Sequence, residues 1–213
     1  MAYSAGFTPH PKVSYAGAAP TGAASEAEYL EIGLARQVDV DELRTALDAA
    51  LPAGLDILDA VPAGGGALAD RIEAALWRVE LPGVGTAELQ AAVDAFLARD
   101  EVAVERPTRD GRRTVDARRA VIRIVLPTAA APPADVAVHG HGDVRAIMDV
   151  VVRQATPAVR PDDVVAALHG VAGLTPAGPP RATRLAQGPV DTDGRVGDPL
   201  APDRTGAAKR TKS

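Results

Sequence analysis

The order of apolar periodicities in the second half of the chain limits the possible folds more than any other feature. Residues 75–81 alternate apolar and polar side chains, whereas residues 86–97, capped by Thr86, repeat apolar side chains at helical spacing. Further strands are predicted at 102–106, 120–126, 144–153 and 181–185, with a helix at 161–168. The order β-α-β-β-α-β, with one extra strand, is that of the ferredoxin-like split βαβ fold.

The first half repeats part of this pattern. Residues 12–15 are extended and residues 28–36 alternate as a strand. Asp39 is the predicted N-cap of a helix whose Leu43, Leu47 and Leu51 recur at helical spacing, and residues 55–61 alternate again. We therefore predict an α+β protein of two ferredoxin-like halves with antiparallel sheets, the first lacking its opening strand and helix.

Glycine, proline and polar stretches divide the chain. Residues 1–61 form the incomplete first half, and residues 62–71, which include the sequence PAGGGA, are the predicted linker. Residues 72–186 form the second half. From residue 187 to 213 apolar residues are scarce, which predicts a disordered tail because burial cannot offset the entropy of ordering.

Composition excludes several classes of protein. The 213 residues contain no cysteine, which excludes disulfides, thiolate zinc sites, a cysteine nucleophile and cysteine-ligated iron–sulfur clusters. No run approaches the roughly 20 apolar residues of a membrane span, and the first residues lack the basic region followed by an apolar region that is typical of a signal peptide. A cytoplasmic protein without membrane contact is expected. Its net charge of −5 argues against a general nucleic-acid coat but allows a local basic patch.

The segment GFTPHPK is the most unusual local sequence, and we select it as a candidate binding loop. Two prolines restrict the backbone, and the loop could present its side chains to a partner or a phosphate. The alternative is a stiff connection in which Phe7 plugs the core. The candidate residues are Gly6, Phe7, Pro9, His10, Pro11 and Lys12.

A cluster of arginines is the second candidate. Seven occur within 18 residues, against two acidic residues, and a hairpin there would project positive charge suited to nucleic-acid phosphates. The alternative is an edge strand protected from aggregation by charge. The arginines are Arg106, Arg109, Arg112, Arg113, Arg118, Arg119 and Arg123.

The remaining polar motifs predict no reactive centre. His139 and His141 have a spacing compatible with metal binding, but the surrounding glycines indicate a surface turn. Gly64, Gly65 and Gly66 lack the lysine and hydroxyl residue of a phosphate-binding loop. We expect no catalytic residue, no metal and no cofactor.

Several segments resemble a bacterial domain family associated with radical SAM proteins. They are AYSAGFTPHPKVS (2–14), APxG (19–22) and SEAEYL (25–30), followed by VERxT (104–108), Gly111, VD (115–116) and VRPDDV (159–164). The resemblance covers residues 2–186. Members of the family, whose function is not established, are fused to a radical SAM protein or encoded beside one, often near a ribonuclease of the E/G type. They usually begin with an additional strand and helix, so the expectation is that the start codon lies further upstream; the alternative is a truncated protein.

This resemblance implies a radical SAM protein as partner and RNA as a second one. The expected function is a non-catalytic accessory protein that acts with a radical SAM enzyme in RNA modification or processing. The chain cannot be that enzyme itself, since it has no cysteine ligands for the cluster. One alternative is an RNA-processing enzyme with a cleft between the halves and His10 as acid or base. The other is a purely structural partner subunit.

Overall fold

The computed structural model describes residues 1–5, 7–108, 111–127 and 144–204 of this α+β protein. The strands are β1 Val13–Ala16, β2 Ala24–Ser25, β3 Tyr29–Ile32, β4 Ala74–Pro82, β5 Ala103–Thr108, β6 Gly111–Asp116, β7 Val121–Val125, β8 Arg145–Arg153 and β9 Arg181–Gly188. The helices are α1 Val40–Ala50, α2 Thr86–Leu97, the single turn α3 Ala117–Ala120 and α4 Pro161–Ala172, with a 3₁₀ helix at Leu68–Arg71.

The described residues divide into two compact units whose boundaries differ from the predicted halves. Unit 1 contains Met1–Ala18, Glu28–Ile72 and, at the end of the described chain, residues 198–204. Unit 2 contains Ala19–Ala27 and Glu73–Gly197. Each unit therefore takes chain from both sides of the predicted linker.

Unit 2 is built on a five-stranded sheet in the order β2-β9-β4-β8-β7. β4 pairs antiparallel with β8 and β9, and β7 pairs antiparallel with β8. β2 pairs parallel with β9, so the prediction of purely antiparallel sheets is wrong here. β5 and β6 form a separate two-stranded hairpin. The hairpin contains β5, the strand of the sequence pattern that exceeds those of a split βαβ unit.

Helices α2 and α4 pack on one face of this sheet because their apolar stripes match its alternating side chains. Trp77 and Val79 of β4 and Met148 and Val150 of β8 join the helical residues in one buried cluster, which includes Leu89, Val93, Phe96, Val164 and Leu168. The N-cap of α2 is Gly85, with no side-chain hydrogen bond, so the predicted cap at Thr86 is wrong by one residue.

Unit 1 has a small core. β1 and β3 pair antiparallel, and Ala16 packs with Leu68 and Ile72, against which Tyr29 and Leu200 are half-buried. Asp39 caps α1 as predicted: its Oδ1 accepts hydrogen bonds from the N–H groups of Asp41 and Glu42, each at 3.0 Å. No residue of α1 is buried. The first unit is therefore held by few apolar contacts.

Two predictions for unit 1 are wrong. Residues 55–61 form no strand, since their alternating pattern finds no neighbouring strand to pair with. Residues 62–71 are not a linker: Leu68 is buried in the core of unit 1, and its N–H donates to Glu31 Oε2 at 3.3 Å. The sequence predicted these segments from local pattern alone.

The predicted disorder from residue 187 onward is also wrong for the described part of that segment. Gln187 and Gly188 belong to β9, and the turn 191–195 is closed by hydrogen bonds from the N–H groups of Asp193 and Arg195 to Asp191 Oδ1. Residues 201–204 are helical, and Asp203 is 6% exposed. Polar contacts fix this stretch where apolar residues are few.

No helix in the described ranges is long and apolar enough to cross a membrane.

Candidate functional site

The N-terminal loop, residues 4–11, is closed at its base by backbone hydrogen bonds. The N–H of Ser4 donates to the carbonyl of His10 at 2.8 Å, and the N–H of His10 donates to Ser4 Oγ at 3.0 Å. Next to these bonds, the N–H of Ala2 donates to the carbonyl of Gly33, and the N–H of Lys12 donates to the carbonyl of Ala2. The N–H of Gly33 donates to the carbonyl of Lys12 at 2.7 Å. The ends of the loop are thus fixed to the ends of β1 and β3.

Gly33 permits this close approach. A Cβ at this position would lie 2.8 Å from Lys12 Cβ and 3.6 Å from Ala2 Cβ. The distance to Lys12 Cβ is shorter than two carbon atoms can approach without a shift of the backbone. The loop base therefore depends on a glycine that lies 26 residues after Phe7 in the sequence.

Phe7 is fully exposed at the tip of the loop, so the alternative in which it plugs the core is wrong. Pro9, His10, Pro11 and Lys12 are exposed as well, and Gly6 lies outside the described residues. The loop presents a large apolar ring on a base that is held by hydrogen bonds.

The backbone of residues 9–12 does not suit a phosphate. Pro9 and Pro11 have no N–H, and the N–H groups of His10 and Lys12 already donate to Ser4 and Ala2. A phosphate-binding loop needs several free N–H groups directed at one point. The geometry at this segment favours contact with an apolar surface.

The structure separates the arginine cluster that the sequence placed on one hairpin. Arg106, Arg112 and Arg113 lie on the β5–β6 hairpin. Arg118 and Arg119 lie on α3, and Arg123 on β7, so these three arginines are not part of the hairpin. Arg109 falls outside the described residues.

Arg106 is a structural residue. Its Nη1 lies 2.6 Å from Asp163 Oδ2, and the two side chains are 17% and 3% exposed. The same carboxylate oxygen accepts the N–H of Arg160 at 2.8 Å, so Arg106 joins the β5–β6 hairpin to the first turn of α4. An arginine that neutralises a buried carboxylate is not available to a phosphate.

Three further arginines have internal partners. Arg112 Nη1 lies 2.7 Å from Glu105 Oε2, and Arg119 Nε lies 3.1 Å from Asp116 Oδ2. The guanidinium of Arg118 lies 6.0 Å from the ring centre of Phe96. Within the described ranges, Arg113 and Arg123 are exposed and have no ion pair.

A buried cluster in unit 1 was not foreseen from the sequence. Asp203 Oδ2 lies 2.6 Å from Arg71 Nη1, and Asp203 Oδ1 accepts the N–H of Gly64 at 2.8 Å. Hydrogen bonding to Asp203 raises the pKa of Arg71. Asp203 lies 132 residues from Arg71 in the chain, and no local pattern indicates such a pair.

The structure offers no support for a metal centre in its described part. His139, His141 and Asp143 all lie outside that part, and within it no three His, Cys, Asp or Glu side chains are grouped as metal ligands.

Comparison with known proteins identifies a family. Residues 1–161 match the family model described as an uncharacterized protein conserved in bacteria (DUF2344). The chain belongs to this family. The matched DUF2344 region includes the N-terminal loop and all seven arginines of the predicted cluster, and it ends at the first residue of α4. No curated protein and no solved structure matches the chain.

Proposed function

We propose that this DUF2344 protein is a non-catalytic accessory protein that binds a radical SAM enzyme through its N-terminal loop. The observation that carries the proposal is the fully exposed ring of Phe7 on a loop with a hydrogen-bonded base. The identity of the partner, and RNA modification or processing as the shared task, rest on the sequence resemblance.

The loop has the physical properties of a binding anchor. Full burial of a phenylalanine side chain contributes about 1.5–3 kcal/mol, and aromatic residues are frequent among the few side chains that dominate an interface. The bonds between Ser4 and His10 restrict the loop before binding, which reduces the entropy lost on association. His10 contributes its backbone N–H and carbonyl to the base of the loop, so we assign it a role in positioning the loop rather than in acid–base catalysis.

The split βαβ interpretation of unit 2 is part of this proposal. Along the chain, helix α2 follows strand β4, and helix α4 lies between strands β8 and β9, after β7. The order of these strands in the sheet, β9-β4-β8-β7, supports the interpretation. Unit 1 has only β1 and β3 paired and gives no comparable support.

The test is binding of the purified protein to a purified radical SAM enzyme from the same organism, measured by calorimetry. Phe7→Ser should weaken binding at least about tenfold, because an anchor that is lost costs more than about 1.4 kcal/mol. Leu58→Ser is the matched control, since Leu58 is also a large exposed apolar residue of unit 1.

Neither change should alter folding, since both side chains are exposed. Equal weakening by both variants, or no binding of the unaltered protein, would contradict the proposal.

A further inference from the structure

Among the residues that the structure describes, no helix of unit 2 packs on one of the two faces of its five-stranded sheet. Register places Arg78 of β4 opposite Asp149 of β8, and Glu80 opposite Ile147. These residues alternate with Val79 and Met148, which are buried under α2 and α4. Arg78, Glu80, Ile147 and Asp149 therefore share the opposite face, which we name the open face.

Five arginines of the strands lie on the open face. In addition to Arg78, β8 contributes Arg145 and Arg153 at its ends. Arg123 of β7 is opposite Val151, and Arg181 of β9 is opposite Glu80, which places both on the same side. From Arg145 to Arg153 the face extends about 26 Å, at about 3.3 Å per residue.

Two of these arginines are neutralised within the face. Arg78 makes two hydrogen bonds of 2.8 Å to Asp149, and Arg145 Nη1 lies 2.8 Å from Glu80 Oε2. Hydrogen bonding to Asp149 raises the pKa of Arg78, with a smaller contribution from the charge of Glu26 beside β2. Arg123, Arg153 and Arg181 are exposed, and no carboxylate in the described ranges pairs with them.

One end of the open face is bordered by residues 189–197. A Cβ on Gly194 would lie 3.1 Å from Ile122 Cγ2 and 3.6 Å from Arg123 Cβ, so this segment lies against β7 and against the side chain of Arg123. Its two carboxylates are already engaged: Asp191 accepts the N–H of Arg195 at 2.7 Å, and Asp193 lies 3.3 Å from Arg195 Nη1. They do not neutralise the three exposed arginines of the strands.

We infer that the open face binds the phosphodiester backbone of a single-stranded nucleic acid. The three guanidinium groups without an ion pair in the described residues lie near the two ends of this face, on either side of Val151, which is 5% exposed. Charges distributed in this way suit a linear polyanion better than a single small anion. Arginine recognises phosphate through paired N–H donors. No strand residue on this face is aromatic, so base stacking is absent and sequence preference is weak.

This inference differs from the hairpin hypothesis and does not depend on the N-terminal loop. Arg123 belongs to both sets, but Arg153 and Arg181 lie far from the predicted cluster in the sequence. Strand pairing in the sheet, which joins segments distant in the sequence, brings them onto one face. Failure of the loop experiment would leave this inference unaffected.

The test uses the full chain and a fluorescent oligouridylate of about 12 nucleotides, with binding followed by anisotropy between about 50 and 200 mM salt. With about 0.7 counterions released per contact, three phosphate contacts predict a slope of log K against log salt near −2, a loss of about 15- to 20-fold over this range.

The triple change Arg123→Ser, Arg153→Ser and Arg181→Ser should remove this salt-dependent binding. The control variant changes the charge by the same amount at exposed positions elsewhere and should keep most of the salt-dependent binding. Its substitutions are Arg36→Ser, Arg44→Ser and Arg99→Ser. A third protein with Arg112→Ser and Arg113→Ser tests the hairpin and should also retain binding.

An oligothymidylate of equal length separates RNA from DNA: equal affinity indicates backbone contacts alone, and stronger RNA binding indicates a contribution of the 2′-hydroxyl groups. Polyglutamate of matched charge should compete poorly. No binding of the unaltered protein at low salt, equal loss in the control triple variant, or equal binding of polyglutamate would overturn the inference.

Discussion

The buried pair between Arg71 and Asp203 gives the sharpest prediction about stability. In Asp203→Ala, Arg71 would lose hydrogen bonds of 2.6 and 3.2 Å, and the N–H of Gly64 would lose an acceptor at 2.8 Å. The two charged side chains are 19% and 8% exposed. Removal of one partner of a buried ion pair costs about 3–5 kcal/mol, because the other charge remains without compensation.

The lower end of that range applies here. Arg71 keeps hydrogen bonds to the carbonyls of Pro199 and Gly65, and its guanidinium has some access to water. We therefore expect Asp203→Ala to lower the free energy of unfolding of unit 1 by about 3 kcal/mol, a large part of the usual 5–15 kcal/mol of a domain.

The aromatic residues allow each unit to be followed separately. All three tyrosines, Tyr3, Tyr15 and Tyr29, belong to unit 1, whereas the single tryptophan, Trp77, is buried in unit 2. In urea denaturation, Asp203→Ala should shift the near-ultraviolet dichroism of tyrosine more than the fluorescence of tryptophan.

Two further variants define the cause. Asp56→Ala removes an exposed carboxylate of unit 1 and should change stability by less than about 0.5 kcal/mol. The double change Arg71→Leu with Asp203→Leu should be less destabilising than Asp203→Ala, because no unpaired charge remains. A tyrosine transition of Asp203→Ala that coincides with that of the unaltered protein would refute the reasoning.

Two other changes probe the remaining polar contacts. Arg106→Leu leaves the 3% exposed carboxylate of Asp163 without its cation and should lower the free energy of unfolding by about 3 kcal/mol, measured by tryptophan fluorescence. Arg112→Leu removes one partner of an exposed pair and should lower it by less than about 1 kcal/mol. Similar values for both variants would contradict a structural role of Arg106. Asp39→Ala removes the cap of α1 and should cost about 1 kcal/mol with a loss of helical dichroism, while an unchanged spectrum would show that the cap contributes nothing.

The sequence predicts the elements that carry strong periodicity. Helix α2 and strands β4 and β8 lie within a residue or two of their predicted bounds, and α4 only extends further than predicted. Their apolar faces are long enough to identify both the element and its buried side. The class α+β follows from them, whereas residues 55–61 show that alternation without a partner strand does not make a sheet.

Features fixed by contacts distant in sequence could not be predicted. The order of residues 187–204 depends on polar pairs such as Arg71 with Asp203, which leave no periodic signal. The exposure of Phe7 was also out of reach, because apolar side chains are usually buried and the loop base involves Gly33. The described arginines of the cluster do not share one hairpin, since β5 pairs with β6 whereas β7 pairs with β8.

The interleaved units have a consequence for synthesis on the ribosome. The chain passes from one unit to the other after Ala18, Ala27, Ile72 and Gly197, so neither unit is a continuous stretch of polypeptide. Arg71 emerges from the exit tunnel 132 residues before Asp203. At about 5–20 residues per second, the interval between the two is about 7 to 26 seconds. Unit 1 can complete its contacts only after residues 198–204 have left the ribosome, so a chain arrested earlier would carry an unfinished unit 1.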